Sequence, residues 1–332
     1  MGERQLVLLL PGQGAQYQGM AVPLYEREPV FTAVMDEFFA HMGGEGRTLR
    51  DDWLAEVPKV PIDDGPRAQP LLFAVGYAIG RVLESRGIRP ALLLGHSVGE
   101  LAAAALAGVY DLAAAARIMR ARSEVLDDAP PGGLLAVAAA PDALTPLLDP
   151  SWTERGLAVG AVNAPAQTIL AGAERELALA ERFLRDSGLT CRRVKALQPF
   201  HSPVLDPAAA VFAKAIGAEN LSAPRIPVMS ARTASTVEPG DALDPAFWAG
   251  LMSGPVLFWS ALMALPADGT FLFADAGPRS LSVVARHHPS VREGRSEVCA
   301  LLPARNRDVW SVWQAGLERL AEDAGPRERS RG

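Results

Sequence analysis

Fully apolar runs alternate along the chain with segments of helical periodicity. Residues 6–10 and 91–94 are apolar throughout, which predicts two strands buried on both faces. Each run leads into a glycine-containing turn, at residues 11–14 and 95–99. Helices are predicted over residues 70–86, from 98 to about 107, and from the N-cap Asp111 onward. This alternation predicts an α/β fold with a parallel sheet.

A second pattern begins after a break at Pro130-Pro131-Gly132-Gly133. It predicts strands over 134–138, 157–162, 168–171 and 190–196, and helices over 141–148 and 175–187. The order β-α-β-β-α-β is that of a ferredoxin-like unit. We therefore predict a small subdomain at 132–197, inserted between two parts of a large α/β subdomain at 1–131 and 198–323. The polar tail at 324–332 is expected to be disordered.

Composition narrows the classes of function. The 332 residues carry a formal net charge of −6, which argues against nucleic acid or an anionic membrane as a partner. Only two cysteines occur, so we expect a cytoplasmic protein with no disulfide framework and no metal site. No segment has the length and flanks of a signal peptide or a membrane span. Imidazole chemistry is limited to five histidines: His41, His96, His201, His287 and His288.

The turn at residues 95–99 reads Gly-His-Ser-Val-Gly, which fits the nucleophile elbow G-x-S-x-G. The pattern alone is weak, but here it lies between a buried strand and a helix, as the elbow requires. It therefore predicts Ser97 as a nucleophile at a helix N-terminus, and a large subdomain that is α/β-hydrolase-like.

One arginine lies on an apolar helix stripe. In the helix after Asp111, Arg122 is four residues after Ile118 and four before Leu126. An inward guanidinium needs an anionic partner. Two interpretations are open: a buried structural ion pair, or a clamp for a substrate carboxylate, which the planar fork binds in bidentate fashion.

Several motifs occur in a fixed order over residues 6–320. The main ones are Gly12-Gln13-Gly14-Ala15-Gln16, Gly95-His96-Ser97-Val98-Gly99-Glu100, Arg122 at 122 − 97 = 25 residues after the serine, and Phe200-His201-Ser202. Further matches are Gln69-Pro70, Val162-Asn163-Ala164-Pro165, Pro255-Val256 and Ala276-Gly277-Pro278. In this order the chain resembles malonyl-CoA:acyl carrier protein transacylases, and most of all the acyltransferases of polyketide synthases.

The resemblance implies a ping-pong acyl transfer. A serine of that family takes an acyl group from a coenzyme A thioester and passes it to the phosphopantetheine thiol of an acyl carrier protein. Carried over, Ser97 is the nucleophile and His201 the general base and acid, oriented by a backbone carbonyl within 253–255. The backbone N–H groups of Gln13 and Val98 form the oxyanion hole. The resemblance also implies acyl-CoA and a carrier protein as partners, no bound cofactor, and a monomer.

The resemblance extends to the acyl group. It assigns Arg122 to the carboxylate of a malonyl-type substrate, and Val98 with Phe200 is the combination typical of members that take malonyl. A phenyl ring there crowds a substituted α-carbon, which is worth about 1–3 kcal/mol of discrimination per methyl group. Two further polar residues, Gln69 and Asn163, are expected at the pocket. His96 is expected beside them as a hydrogen-bonding residue, with its side chain pointing away from the nucleophile. The residues Gln198-Pro199 depart from the usual pattern, so a larger acyl group delivered by a carrier protein is the alternative.

Other functions are open at this stage. Ser97, Asp275 and His287 follow the chain order of an α/β-hydrolase triad. Two more functions are open. One is an editing hydrolase that uses Ser97 and His201, and the other is a non-catalytic module that binds a carrier protein. Basic residues near the end of the chain, Arg286 and Arg292, are interpreted either as solvated surface or as a dock for an acidic carrier protein or coenzyme A phosphates. A second such patch contains Arg192 and Arg193.

Overall fold

The computed structural model of the chain describes residues 4–62, 64–148, 150–194, 196–278, 280–304 and 308–323. The tail predicted at 324–332 lies outside these residues. In chain order the strands are β1 (Gln5–Leu10), β2 (Leu92–Gly95), β3 (Gly132–Val137), β4 (Ala158–Ala164), β5 (Gln167–Ala173), β6 (Cys191–Val194), β7 (Val228–Ser230), β8 (Ser235–Thr236), β9 (Phe271–Asp275) and β10 (Glu297–Ala300).

Among the described residues these strands form two sheets. The larger has the order β10-β9-β1-β2-β7-β8 and is parallel except for β8, which pairs antiparallel with β7. The smaller has the order β4-β5-β3-β6 and is antiparallel throughout. The predicted α/β class is therefore confirmed. The strands of the smaller sheet run from Gly132 to Val194, within the range predicted for the insert.

Strand β1 shows why its apolar run is continuous. It lies between β9 and β2 in a parallel sheet that has a hydrophobic core on each face. Leu6, Leu8 and Leu10 pack into the core on one face. Val7 and Leu9 pack into a second core on the other face. A polar residue at every second position of β1 would place polar side chains in one of these two cores, where they would lack water.

The helices pack on the two sheets. They are α1 (Val22–Arg27), α2 (Pro29–His41), α3 (Gly44–Leu54), α4 (Gly65–Ser85), α5 (Val98–Leu106), α6 (Leu112–Asp127), α7 (Pro141–Leu144), α8 (Pro150–Glu154), α9 (Glu174–Asp186), α10 (Asp206–Gly217), α11 (Pro239–Ala242), α12 (Pro245–Ala249), α13 (Phe258–Met263), α14 (Ser280–Ala285), α15 (Pro289–Arg292) and α16 (Val309–Asp323). Helices α1 to α3 have no counterpart among the predicted elements. Within the described residues, no helix is long and apolar enough to cross a bilayer.

Two predicted helices have different bounds in the structure. Helix α4 begins at Gly65 and contains Pro70, whereas the sequence places Pro70 at its first position. Packing accounts for the earlier start, because Ala68 and Gln69 in the first turns are buried. The helix predicted over 141–148 ends at Leu144, because Pro146 has no N–H to continue the helical hydrogen bonds.

Candidate active site

The two glycine-containing turns meet at one edge of the parallel sheet. Strand β1 ends at Leu10 and β2 ends at Gly95, and these two residues are paired in register. The turns that follow, at residues 11–14 and 95–97, therefore lie side by side at the carboxyl ends of adjacent strands. Ligands of open α/β sheets bind at this edge.

Ser97 is held in a strained turn between β2 and α5. Its φ is 55° and its ψ is −121°, and it is one of four non-glycine residues with positive φ in the described part of the chain. The turn requires glycine because the backbones approach closely: a Cβ atom at Gly99 would lie 2.1 Å from the carbonyl oxygen of Leu10. Strain of this kind is typical of functional sites.

His201 faces Ser97 across the cleft. Its Nε2 lies 2.9 Å from the Ser97 Oγ, and its Nδ1 lies 2.9 Å from the carbonyl oxygen of Gly254. A carbonyl can only accept, so Nδ1 carries the hydrogen and Nε2 is free to accept the Ser97 proton. The His201 N–H donates to the Met252 carbonyl oxygen, and its φ of 64° is also positive. The imidazole is thus held by backbone groups in the tautomer that a general base needs.

Burial sets the protonation state of this imidazole. It lowers the pKa of His201 to about 3, with smaller effects in the same direction from His96 and Arg122. The ring is therefore neutral near pH 7 and has a free lone pair on Nε2. A neutral base beside a serine hydroxyl is the arrangement that activates the hydroxyl for attack.

Two backbone N–H groups at the turns are unused. Those of Gln13 and Val98 make no hydrogen bond to another residue in the described part of the chain. Val98 follows Ser97 at the first position of α5, where the N–H groups of a helix have no intrahelical acceptor. These donors are available to a developing oxyanion.

A cleft of about 410 Å³ opens between the two sheets in front of Ser97. Apolar side chains of the small sheet, among them Leu134, Ala136 and Ile169, form one wall. Polar side chains of both parts also face it: Gln13, Gln69, His96, Asn163, Gln167 and Ser280. Among its described lining residues, Arg192 is the only Lys, Arg, Asp or Glu.

Arg122 lies directly behind two lining residues. Its Nε donates to the Gln69 Oε1 at 2.6 Å, and its guanidinium carbon lies 5.8 Å from the centre of the Phe200 ring. The side chain is buried, which lowers its pKa to about 10, so it stays charged near pH 7. Neither Nη1 nor Nη2 has a hydrogen-bond partner among the described residues, and no carboxylate there forms an ion pair with it. The structural ion pair is therefore absent from the described part of the chain.

Two side-chain contacts at this site were not predicted. The Gln69 Nε2 donates to the Gln13 Oε1 at 2.8 Å, joining helix α4 to the first turn. The His96 Nε2 lies 2.8 Å from the Asn163 Oδ1, joining the elbow to strand β4. His96 thus faces the cleft, although a residue beside the nucleophile was expected to point away. The two residues of each pair are 56 and 67 positions apart in the sequence, so no local pattern could predict these contacts.

The predicted basic patches divide by location. Strand β6 places Arg192 on the cleft face, and Arg193 on the opposite face in ion pairs with Glu174 and Glu181 at 2.9 and 2.8 Å. Arg286 and Arg292 are exposed and do not line the cleft.

The rival triad is not assembled. Asp275 accepts hydrogen bonds from the backbone N–H groups of Gly277, Leu281 and Ser282, whereas His287 is exposed. Its neighbour His288 is buried against Phe271 and Phe273.

This α/β fold, with a serine elbow that faces a histidine, can be compared with the folds and sequences of known proteins. Residues 7–325 match the acyl transferase domain family, and the chain belongs to it. It is an acyltransferase of the kind found in polyketide synthases and fatty-acid synthesis.

Individual relatives agree with this assignment. A phenolphthiocerol/phthiocerol polyketide synthase of Mycobacterium tuberculosis is 33% identical over 324 residues, which cover 95% of this chain and 21% of that much longer protein. The acyltransferase domain of the second module of the salinomycin polyketide synthase is 31% identical, with a TM-score of 0.85 over 95% of this chain and 72% of that one. Malonyl-CoA:acyl carrier protein transacylase of Xanthomonas oryzae pv. oryzae is 26% identical, with a TM-score of 0.81 over 95% and 99%.

Proposed function

We propose that this acyltransferase moves a malonyl-type acyl group from a coenzyme A thioester to the phosphopantetheine thiol of an acyl carrier protein, in polyketide biosynthesis. The observation that carries the proposal is the Ser97–His201 pair at 2.9 Å together with the charged, partly unpaired guanidinium of Arg122 behind the same cleft. The Ser97–His201 pair carries out acyl transfer, and the Arg122 guanidinium gives a preference for an acyl group with a free carboxylate.

The first half-reaction loads the serine. The Ser97 Oγ attacks the thioester carbonyl while His201 Nε2 takes its proton. The carbonyl oxygen becomes negative and accepts hydrogen bonds from the N–H groups of Gln13 and Val98; in other acyl transferases one such donor is worth about 3–4 kcal/mol. When the C–S bond breaks, the imidazolium returns the proton to the coenzyme A sulfur, leaving a neutral ester on Ser97.

The second half-reaction repeats these steps with a new thiol. The carrier protein's phosphopantetheine thiol gives its proton to His201 Nε2, and its sulfur attacks the ester carbonyl. Collapse of the tetrahedral intermediate breaks the C–Oγ bond, and the proton returns to Ser97. The same two side chains therefore serve both thioesters.

The acyl carboxylate is assigned to Arg122. Two buried N–H-bearing nitrogens match the two oxygens of a carboxylate, and a buried cation without a partner is costly. Phe200 and Gln69 contact the guanidinium and also line the cleft, so they lie between the cleft and Arg122. Phe200 also leaves little room for a substituent on the malonyl α-carbon, which favours malonyl over methylmalonyl.

Donors and acceptors share a phosphopantetheine arm with an anionic phosphate. Arg192 lies on the cleft face of β6 and makes no ion pair within the described residues, so we assign it to this phosphate. Arg286 and Arg292, exposed and outside the cleft, are assigned to the acidic surface of the carrier protein.

Intact-mass spectrometry tests the proposal. The chain is mixed with malonyl-CoA, and separately with larger acyl-CoA and acyl carrier protein thioesters. We expect a malonyl adduct on the wild-type protein, none on Ser97→Ala, and its disappearance when a holo-carrier protein is added. Absence of an adduct with every donor would refute the acyl-enzyme mechanism. Loss of the adduct to water at the same rate without carrier protein would make the chain a hydrolase.

A further inference from the structure

Two buried side chains, Arg122 and Gln69, and the half-buried Gln13 form one line of hydrogen bonds between the predicted acyl end of the site and the first turn. Arg122 Nε donates to Gln69 Oε1 at 2.6 Å, and Gln69 Nε2 donates to Gln13 Oε1 at 2.8 Å. Arg122 is 1% exposed and Gln69 is 3% exposed, so water does not replace the contact between them. The line ends on the residue whose backbone N–H is assigned to the oxyanion hole.

The arginine fixes the direction of this line. A guanidinium only donates hydrogen bonds, so the Gln69 amide must turn its oxygen to Arg122 and its NH₂ group to Gln13. Gln13 must then present its own oxygen. The orientation of all three side chains therefore depends on where the guanidinium lies.

An amide at position 69 also leaves the arginine charged. A glutamate there would accept the same Nε–H bond, but its negative charge would neutralise the guanidinium and compete with a substrate carboxylate. Glutamine connects the two ends of the site without occupying the anion-binding nitrogens. Nη1 and Nη2 stay unpaired among the described residues, as that function requires.

The first turn needs an anchor of this kind. Gln13 lies between Gly12 and Gly14, and the φ of Gly14 is +102°, so the backbone on both sides has glycine's freedom. The Gln13 side chain is held by Gln69, and its own Nε2 has no partner in the described part of the chain. The Gly14 N–H also donates to the Gln16 Oε1, so the contact with Gln69 is one of two side-chain hydrogen bonds that, within the described residues, hold the turn around the Gln13 N–H.

We propose that Gln69 is a positioning residue that couples carboxylate binding at Arg122 to the oxyanion donor of Gln13, so that an acyl group's distal charge raises kcat and does not only lower KM. A carboxylate on Nη1 and Nη2 fixes the guanidinium, which holds Gln69 and through it the turn. With a neutral acyl group the Nε contact with Gln69 is the only hydrogen bond by which the described residues hold the guanidinium, so the line is held less firmly than when a carboxylate also binds Nη1 and Nη2. The inference rests on the proposed function, because it assigns the carboxylate to Arg122.

The test uses two variants. Gln69→Met removes both hydrogen bonds of the line, and Gln13→Met removes only the one between Gln69 and Gln13. Gln69→Met and Gln13→Met keep length and apolar bulk, and Gln13→Met leaves the Arg122–Gln69 contact and the residue 13 N–H in place. Acylation kcat and KM are measured by rapid quench and intact mass with malonyl-CoA and acetyl-CoA. We expect each variant to lower the malonyl kcat by about tenfold, within the range usual for coupling between two sites. The acetyl kcat should fall by a smaller factor, so that the malonyl-to-acetyl kcat ratio decreases in each variant.

The double variant distinguishes a line from two independent contacts. If both residues act through one connection, Gln69→Met/Gln13→Met is no slower than the slower single variant. Equal losses of malonyl and acetyl kcat, additive losses in the double variant, or a change in KM alone would overturn the coupling. If the wild-type protein forms no malonyl adduct, the proposed function fails; if it does and the malonyl-to-acetyl kcat ratio is unchanged in both variants, only this inference fails.

Discussion

The two ends of the site differ in how many of their hydrogen-bonding nitrogens already have partners in the protein. At the reacting end, both imidazole nitrogens of His201 have protein partners, Ser97 and the Gly254 carbonyl. At the acyl end, only one of the three guanidinium nitrogens of Arg122 has a partner among the described residues. The geometry of bond breaking is thus built by the chain alone, whereas the acyl end is complementary to an anion. Changes at the second end should therefore alter selectivity while the Ser97–His201 pair stays in place.

The largest expected effect comes from the reacting end. His201→Ala removes the general base, so we expect acylation to slow by about 10²–10⁴-fold. Since recognition lies elsewhere, malonyl and acetyl transfer should fall by the same factor in single-turnover measurements. A change in their ratio would mean that His201 itself contributes to recognition of the acyl carboxylate.

The same prediction extends to pH. The pKa of His201 is lowered to about 3, so the ring stays neutral and the acylation rate should be flat from about pH 5 to 8. Unfolding exposes a histidine with an ordinary pKa near 6.5, so the unfolded state binds the extra proton and stability falls as pH drops below about 6.5. Denaturant unfolding at several pH values measures the second effect. An inflection of the acylation rate near pH 6.5 would contradict the first.

A smaller but selective effect is expected at the acyl end. Removing one partner of a buried charged contact costs about 2–5 kcal/mol, so Arg122→Ala should lower malonyl kcat/KM by about 100-fold or more. Acetyl transfer should change by less than about threefold.

Arg122→Met is the matched control for the cavity. It fills the space with apolar atoms and removes an unpaired buried charge, so it should not lower the melting temperature. Equal losses for the malonyl and acetyl donors in both variants would remove the carboxylate role from Arg122.

Local patterns predicted much of this site. The elbow could be found because its glycines are close in sequence and the close approach of Gly99 to β1 requires glycine. The burial of Arg122 followed from its place on an apolar stripe, since helical periodicity alone orients that side chain. The tautomer of His201 depends on a carbonyl 53 residues away, which only the family resemblance could suggest.

What the sequence could not provide was pairing between distant segments. Gln69 was expected at the pocket, but its contacts with Arg122 and Gln13 depend on how α4, α6 and the first turn pack together. The early start of α4, set by burial and not by Pro70, is what brings Gln69 there. The direction of His96 likewise depends on Asn163 in the other subdomain.

The smallest expected effect lies where the cleft meets solvent, on two adjacent arginines. Alternation along β6 could predict that Arg192 and Arg193 point to opposite faces, but which face meets the cleft depends on how the small sheet packs. Arg192 is exposed in the cleft, whereas Arg193 is held by Glu174 and Glu181. An exposed charge contact is worth about 0.2–1 kcal/mol. Arg192→Ala should therefore raise the KM for malonyl-CoA by up to about fivefold with little change in kcat.

The donor's phosphates provide the comparison that isolates this role. Malonyl-pantetheine has the same thioester and arm but no phosphate, so its KM should be equal in the wild-type protein and Arg192→Ala. Arg193→Ala, on the same strand and the opposite face, should leave both KM values unchanged. If Arg192→Ala weakens both donors equally, the side chain contacts the arm and not its phosphate. If neither KM changes, Arg192 does not contribute to donor binding, which then depends on the acyl end and the reacting end alone.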